Sequence, residues 1–149
     1  MPCRSALRRF LWMERRIRWS FPAVASDGTV YISVTDESAV SPASALHAIK
    51  PDGSRRWVFK YGANANCSPS IDKTGTVLIS GDNGKLYALR PDGSLRWSYT
   101  VEPIGRWLRW SPVIRPDGGI YLTSYWPAKI YSLQVLPYRS FVPLVENNP

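Results

Sequence analysis

Residues 68–97, SPSIDKTGTVLISGDNGKLYALRPDGSLRW, carry four short β-rich runs separated by three turns, and both flanks repeat the pattern. Ser68–Ile71 opens the unit and Asp72-Lys73-Thr74-Gly75 turns it into the β-branched run Thr76–Ile79. A second turn, Gly81-Asp82-Asn83-Gly84, leads to Lys85–Leu89, and Pro91-Asp92-Gly93 leads to Leu95–Tyr99. Asp-Gly and Asn-Gly between β-branched runs are the strongest short-range hairpin signal a sequence offers. The unit therefore predicts a four-stranded antiparallel meander.

The copies align without a gap over twelve positions. PAVASDGTVYIS from Pro22 stands over PSIDKTGTVLIS from Pro69 and PVIRPDGGIYLT from Pro112. Gly28, Gly75 and Gly118 coincide at the first turn, where a residue with positive φ or a close chain approach is needed. Leu46-His47-Ala48-Ile49, Leu86-Tyr87-Ala88-Leu89 and Ile130-Tyr131-Ser132-Leu133 give the third strand three times. The third turn and fourth strand occur twice, as KPDGSRRWVF and RPDGSLRWSY, placing Trp57 and Trp97 at one repeat position. Both tryptophans are expected to be buried against neighbouring sheets. Successive prolines stand 47 and 43 residues apart, the first spacing lengthened by the loop Val34–Ser44. Four strands per 40–47 residues is the repeat of a β-propeller blade, whereas β-helix repeats are shorter and helical repeats lack these turns.

On these residues the chain resembles the pyrroloquinoline-quinone-like (quinoprotein-type) β-propeller repeat family. The matching motifs are Ser68-Pro69, Asp27-Gly28-Thr29-Val30-Tyr31, Gly84-Lys85-Leu86-Tyr87-Ala88-Leu89 and the tryptophans Trp57 and Trp97. The resemblance implies an all-β partial propeller of about three four-stranded antiparallel blades across residues 19–134. A basic non-repeat segment (1–18) precedes it and a tail (135–149) follows. After Leu133 the chain runs Gln134-Val135-Leu136-Pro137-Tyr138 without the Asp-Gly and the tryptophan. Closed propellers take four to eight blades, so three are expected to leave an open arc with two exposed apolar faces.

Quinoprotein enzymes of this family imply a calcium held by carboxylates and amides, a catalytic aspartate and an adjacent cysteine pair. Here Cys3 and Cys67 lie far apart, and Asp27, Asp52, Asp92 and Asp117 fall in turns, where local hydrogen bonding accounts for them. His47 aligns with Tyr87 and Tyr131 and reads as a structural side chain. Asp82-Asn83-Gly84 lacks the ligand alternation of a calcium loop and reads as a hairpin turn. Ser68 and Ser111 have no histidine at an aligned position to activate them. No catalytic, cofactor or metal residue is therefore assigned. The expected role is a non-enzymatic binding or scaffolding surface; the alternative is a fragment of a longer propeller enzyme or sensor with its active residues in other blades.

For partners, Arg106-Trp107-Leu108-Arg109-Trp110 is the most suggestive stretch, since alternating arginine and aromatic side chains can grip an acidic or stacking partner. Plain strand alternation is the competing reading, with a tryptophan packed between sheets and the arginines in solvent. Trp126 adds a candidate anchor on a loop rim. Self-association through open sheet faces is the other expectation.

Charge argues against nucleic acid. Six arginines against Glu14 put +5 of the net +8 within residues 1–20, so the body of the chain is only weakly basic. Ser5, Leu7, Phe10, Leu11 and Ile17 outline a short basic amphipathic helix, a membrane-surface pattern, but a loosely held terminus is the favoured reading. Charges interrupt the start throughout, so no secretory apolar core is read there, although the resemblance implies exported or cell-envelope relatives.

Overall fold

The computed structural model describes residues 20–36, 43–61, 67–101, 108–125, 128–135 and 141–145, with the backbone course alone for 36, 43, 135 and 141–145. These residues form three four-stranded antiparallel sheets, each a simple meander. The first sheet comprises β1 (Ala23–Val24), β2 (Val30–Asp36), β3 (Ala43–Ile49) and β4 (Arg55–Lys60). The second comprises β5 (Ser70–Ile71), β6 (Val77–Ser80), β7 (Lys85–Leu89) and β8 (Leu95–Thr100). The third comprises β9 (Val113–Ile114), β10 (Ile120–Ser124), β11 (Lys129–Val135) and β12 (Phe141–Val145). Residues 141–145, read from sequence as part of a tail, thus complete the third sheet, pairing with β11 from Tyr131↔Val145 to Val135↔Phe141.

The turns follow from their residues. Gly28, Gly75 and Gly118 adopt φ of 78°, 81° and 87°, the left-handed region that a Cβ disfavours. In the first turns, the carboxylates of Asp27, Asp72 and Asp117 accept the N–H two residues on, at 2.9, 2.7 and 2.9 Å. Asp52 and Asp92 do the same in the third turns. The turn aspartates are thus engaged in local structure: the Thr29 N–H holds Asp27, and the Ser54 and Ser94 hydroxyls with their N–H groups hold Asp52 and Asp92, below the usual carboxylate range. Asp82-Asn83-Gly84 is a hairpin turn, with Gly84 at φ 75° and Asn83 Oδ1 accepting the Lys85 N–H.

Strand alternation sends opposite faces of the second sheet to different neighbours. Val77, Ile79, Tyr87 and Leu89 pack with Tyr31, Leu46 and Ala48 of the first sheet. Leu78, Leu86 and Ala88 pack with Ile120, Leu122, Tyr131 and Leu133 of the third. The second sheet is therefore the filling between the other two, with chain order preserved in the stack. At one edge the short strands adjoin, β1 beside β5 and β5 beside β9.

Serines that precede the repeat prolines bind the sheets together along that edge. The Phe21 N–H donates to Ser68 Oγ at 2.7 Å, and the Ser68 N–H donates to Ser111 Oγ at 2.8 Å. Ser70 Oγ adds a donation to the Pro112 carbonyl. A hydroxyl one residue before the proline supplies an acceptor where the neighbouring strand presents an unpaired backbone donor. Ser68 and Ser111 are clasps between sheets.

Tryptophan packing is equally regular. Trp57 and Trp97 stand opposite Ala48 and Ala88, and in both sheets the register shifts at the next residue. The small alanine leaves room for the indole to lean outward. Both indoles are mostly buried and pack against the cores between sheets, with part of each ring left in solvent because they sit on outermost strands. Opposite Ser132 the third sheet has Leu144.

Candidate functional site

Trp57 closes the junction between the first and second sheets by lying on a turn. Its Nε1–H donates to the Pro91 carbonyl at 2.8 Å, and its ring tilts against Tyr31 at 5.5 Å between centroids. A methyl group on Gly93 would fall 2.7 Å from the indole, so the ring rests on the bare Cα of that glycine. Pro91 reaches the other way, its Cγ 3.2 Å from where a Cβ on Gly75 would stand. The Pro91-Asp92-Gly93 turn is thus held between the tryptophan of one sheet and the first-turn glycine of its own. Pro51 contacts Gly28 in the same manner in the first sheet.

Among the described residues, the junction between the second and third sheets lacks this filling; residues 136–140, which join β11 to β12, lie outside them. Among the described residues nothing lies within 4 Å of a Cβ built on Gly118, in contrast to Gly28 and Gly75. The third sheet reaches this position as Gln134 and Val135 where its counterparts have Arg-Pro-Asp-Gly or Lys-Pro-Asp-Gly. A cleft of about 460 Å³ opens between Trp97 and Gly118, within the usual size range of small-ligand sites. Its walls include the apolar Leu78, Ile114 and Ile120 and the cationic Lys73, Arg96 and Arg115.

The two carboxylates at the cleft are already engaged. Asp72 accepts from the Thr74 and Thr76 N–H groups and from Thr74 Oγ1. Partial burial pushes its pKa up, but these hydrogen bonds outweigh it and hold the carboxyl below its ordinary range. Asp117 accepts from the Gly119 N–H and pairs with Arg115 Nε at 3.2 Å. Arg96 donates to Thr76 Oγ1 at 2.9 Å, whereas its counterpart Arg56 reaches Thr29 Oγ1 and also pairs with Asp27 at 2.9 Å.

The second candidate surface is the outward face of the third sheet. Val113, Tyr121, Thr123, Ile130 and Ser132 share that face by register. Val113 and Ile130 are 60% and 63% exposed, while Leu86, the repeat counterpart of Ile130, is fully buried against the third sheet. Arg115 lies over the Tyr121 ring at 5.2 Å and donates to Gln134 Oε1 at 3.0 Å, giving the apolar patch a polar border. The opposite end of the stack differs from expectation. Ile32, Val34, Ala45, His47 and Ile49, on the face of the first sheet turned away from the second, are buried. Among the described residues, the exposed sheet face is the one at the third sheet.

Of the arginine–aromatic stretch, Arg106 and Trp107 lie outside the described residues, as does Trp126. Leu108 is buried, Arg109 lies 5.0 Å from the Tyr125 ring centroid, and Trp110 is 56% exposed. Strand alternation offered Trp107 or Trp110 as the side chain packed between sheets; Trp110 is exposed, its carbonyl accepting Ser80 Oγ at 2.9 Å, and Trp107 lies outside the described residues. Trp110 and the Arg109–Tyr125 pair therefore form an aromatic, cationic rim at the third sheet. Sequence reasoning missed the cleft, although the missing Pro-Asp-Gly after Leu133 was its signal.

Cys67 is buried and its thiol donates to the Ser80 carbonyl at 2.7 Å. Burial pushes its pKa up to about 11, the opposite of what a nucleophilic thiolate needs. Cys3 lies outside the described residues.

No family model matches the sequence, and no curated protein matches it. Among solved structures, the chain is similar to a protein of unknown function from Bacteroides caccae, at a TM-score of 0.54 and 12% identity. The match covers 83% of this chain and 43% of that one, so this chain spans less than half the length of that protein. At that identity the likeness concerns fold alone.

Proposed function

We propose that the three sheets are consecutive blades of an open, quinoprotein-type propeller arc, and that the arc is a non-enzymatic surface for binding or scaffolding another protein. The meander of each sheet, the chain-ordered stack and the adjoining short strands support the propeller reading. One observation carries the function: the outward face of the third sheet exposes Ile130 at a position the repeat otherwise uses for sheet-to-sheet packing, with Val113 exposed on the same face. Such a face is half of an interface, and the rim of Trp110 and Arg109–Tyr125 supplies residue types enriched at protein contacts. The other half is a protein partner or a second copy. A second reading, a segment of a longer propeller enzyme or sensor, is favoured by the length of the structural neighbour beyond the matched part.

Two measurements test the proposal. In sedimentation velocity the parent chain is expected to associate, and Ile130→Lys to abolish that association while keeping the parent's circular dichroism. Calorimetric titration with pyrroloquinoline quinone and calcium is expected to give no binding heat. Stoichiometric quinone binding would overturn the non-enzymatic reading, and equal association by parent and Ile130→Lys would overturn the assignment of the face.

A further inference from the structure

The stack has two unlike ends. At the third sheet Val113 and Ile130 are exposed on the outward face, whereas at the first sheet Ile32, Val34, Ala45, His47 and Ile49 are at most 9% exposed. The edge clasps differ in the same sense. Ser68 and Ser111 each offer a hydroxyl to a backbone N–H of the preceding sheet, but Phe21 holds that position in the first sheet and has no hydroxyl. A second copy arriving head to tail would set its first sheet on the third sheet of this one. Among the described residues, that first sheet brings neither an exposed apolar face nor a clasp acceptor. We propose that the outward face of the third sheet seats the same face of a second copy across a twofold axis, so that association stops at a dimer. The inference rests on the interface reading above and adds the occupant and the symmetry.

The face suits a copy of itself. A twofold contact sets each patch against its own duplicate, so a net charge on the patch would repel. Arg115, at the border, is matched locally: Asp117 lies 3.2 Å from its Nε, the Tyr121 ring lies beneath it, and Gln134 accepts from it. The polar side chains that register places on the face are the hydroxyls of Tyr121, Thr123 and Ser132. A hydroxyl both donates and accepts, so it can bond to an identical group, as a carboxylate or an ammonium cannot. Val113 and Ile130 supply apolar contact of the same kind from both sides. Strands of five to seven residues in β10–β12 give a sheet face roughly 15–20 Å on a side, at the small end of stable interfaces. A reversible dimer with a dissociation constant of about 10 μM is therefore expected.

Opposite charges placed on the same residue of the full chain test the symmetry. In sedimentation velocity at low salt, Ile130→Lys and Ile130→Glu are each expected to stay monomeric. An equal mixture of the two is expected to dimerise at least about tenfold more tightly than either alone, and added salt to weaken that gain. Only a face that meets its own copy brings the two introduced charges together. Val113→Lys with Val113→Glu repeats the test on the same face should an Ile130 variant fail to fold. The parent is expected to reach a dimer and go no further as concentration rises. A mixture no better than its components, or a parent series that continues past the dimer, would overturn the twofold contact and leave the interface reading standing. A parent monomeric at every concentration, the outcome for a face covered by another part of the chain or kept for a different protein, would overturn the second copy as occupant. Ile130→Lys associating as the parent does would overturn both readings.

Discussion

Replacing Trp57 by alanine removes three things at once. The indole is mostly buried and its full burial would cover roughly 200 Å², so about three-quarters of that at 25 cal/mol/Å² is about 4 kcal/mol. The Nε1–H bond to the Pro91 carbonyl adds about 1 kcal/mol, partly recovered by water because the site is exposed. The tilted pair with Tyr31 adds about 0.5 kcal/mol. The expected loss is therefore about 4–5 kcal/mol, near the upper end of measured tryptophan truncations. Urea melts at one fixed protein concentration read it as a shift in midpoint at unchanged slope. Trp57→Phe keeps most of the area and loses the hydrogen bond, so about 1–1.5 kcal/mol is expected. A Trp57→Ala midpoint within error of the parent would refute the reasoning, since the turn would then be holding itself.

Gly93→Ala places a methyl 2.7 Å from Trp57 at a φ of 88°, whereas Gly118→Ala at 87° meets none of the described residues; the first is expected to cost at least about 1 kcal/mol more in urea melts. Combining Gly93→Ala with Trp57→Ala should recover that difference, and simple additivity would contradict the stacking. Ser111→Ala removes the acceptor of the Ser68 N–H and is expected to cost about 1–2 kcal/mol, more than Ser68→Ala, whose lost partner at Phe21 is exposed to water. Asp27, Asp52, Asp72 and Asp92 have folded-state pKa values below 3.8, so their contribution is full above that pH and lost as pH falls through the depressed values; acid melts should show stability declining there. Cys67 titrates near 11 when folded against an ordinary 9.0, so stability should fall as pH rises across that interval, and Cys67→Ala should flatten that part of the profile.

The sheets were legible because their signals are local. Asp-Gly and Asn-Gly turns fix where strands end, and period-2 alternation fixes which residues face which way. Leu78 and Val77 go to different neighbours for that reason alone. Strand β12 was not legible: Phe141–Val145 contains Pro143 and follows no Asp-Gly turn, and only pairing with β11 makes it a strand. The cleft's one signal in the sequence was the missing Pro-Asp-Gly after Leu133, and its walls show only when Gly118 is compared in space with Gly28 and Gly75 among the described residues. Burial of Ile32 and Val34 on the outer face of the first sheet was likewise out of reach, since the repeat pattern makes both ends of the stack look alike. Exposure of Trp110 is a tertiary fact as well, which no local pattern announces.

Multi-angle light scattering of the parent chain over a range of concentrations addresses the central claim, that the third sheet ends in half an interface. The account predicts a dimer or larger species whose share grows with concentration, well above the 16.8 kDa of one chain. A well-folded particle of 16.8 kDa at every concentration, melting in one sharp transition, would contradict it.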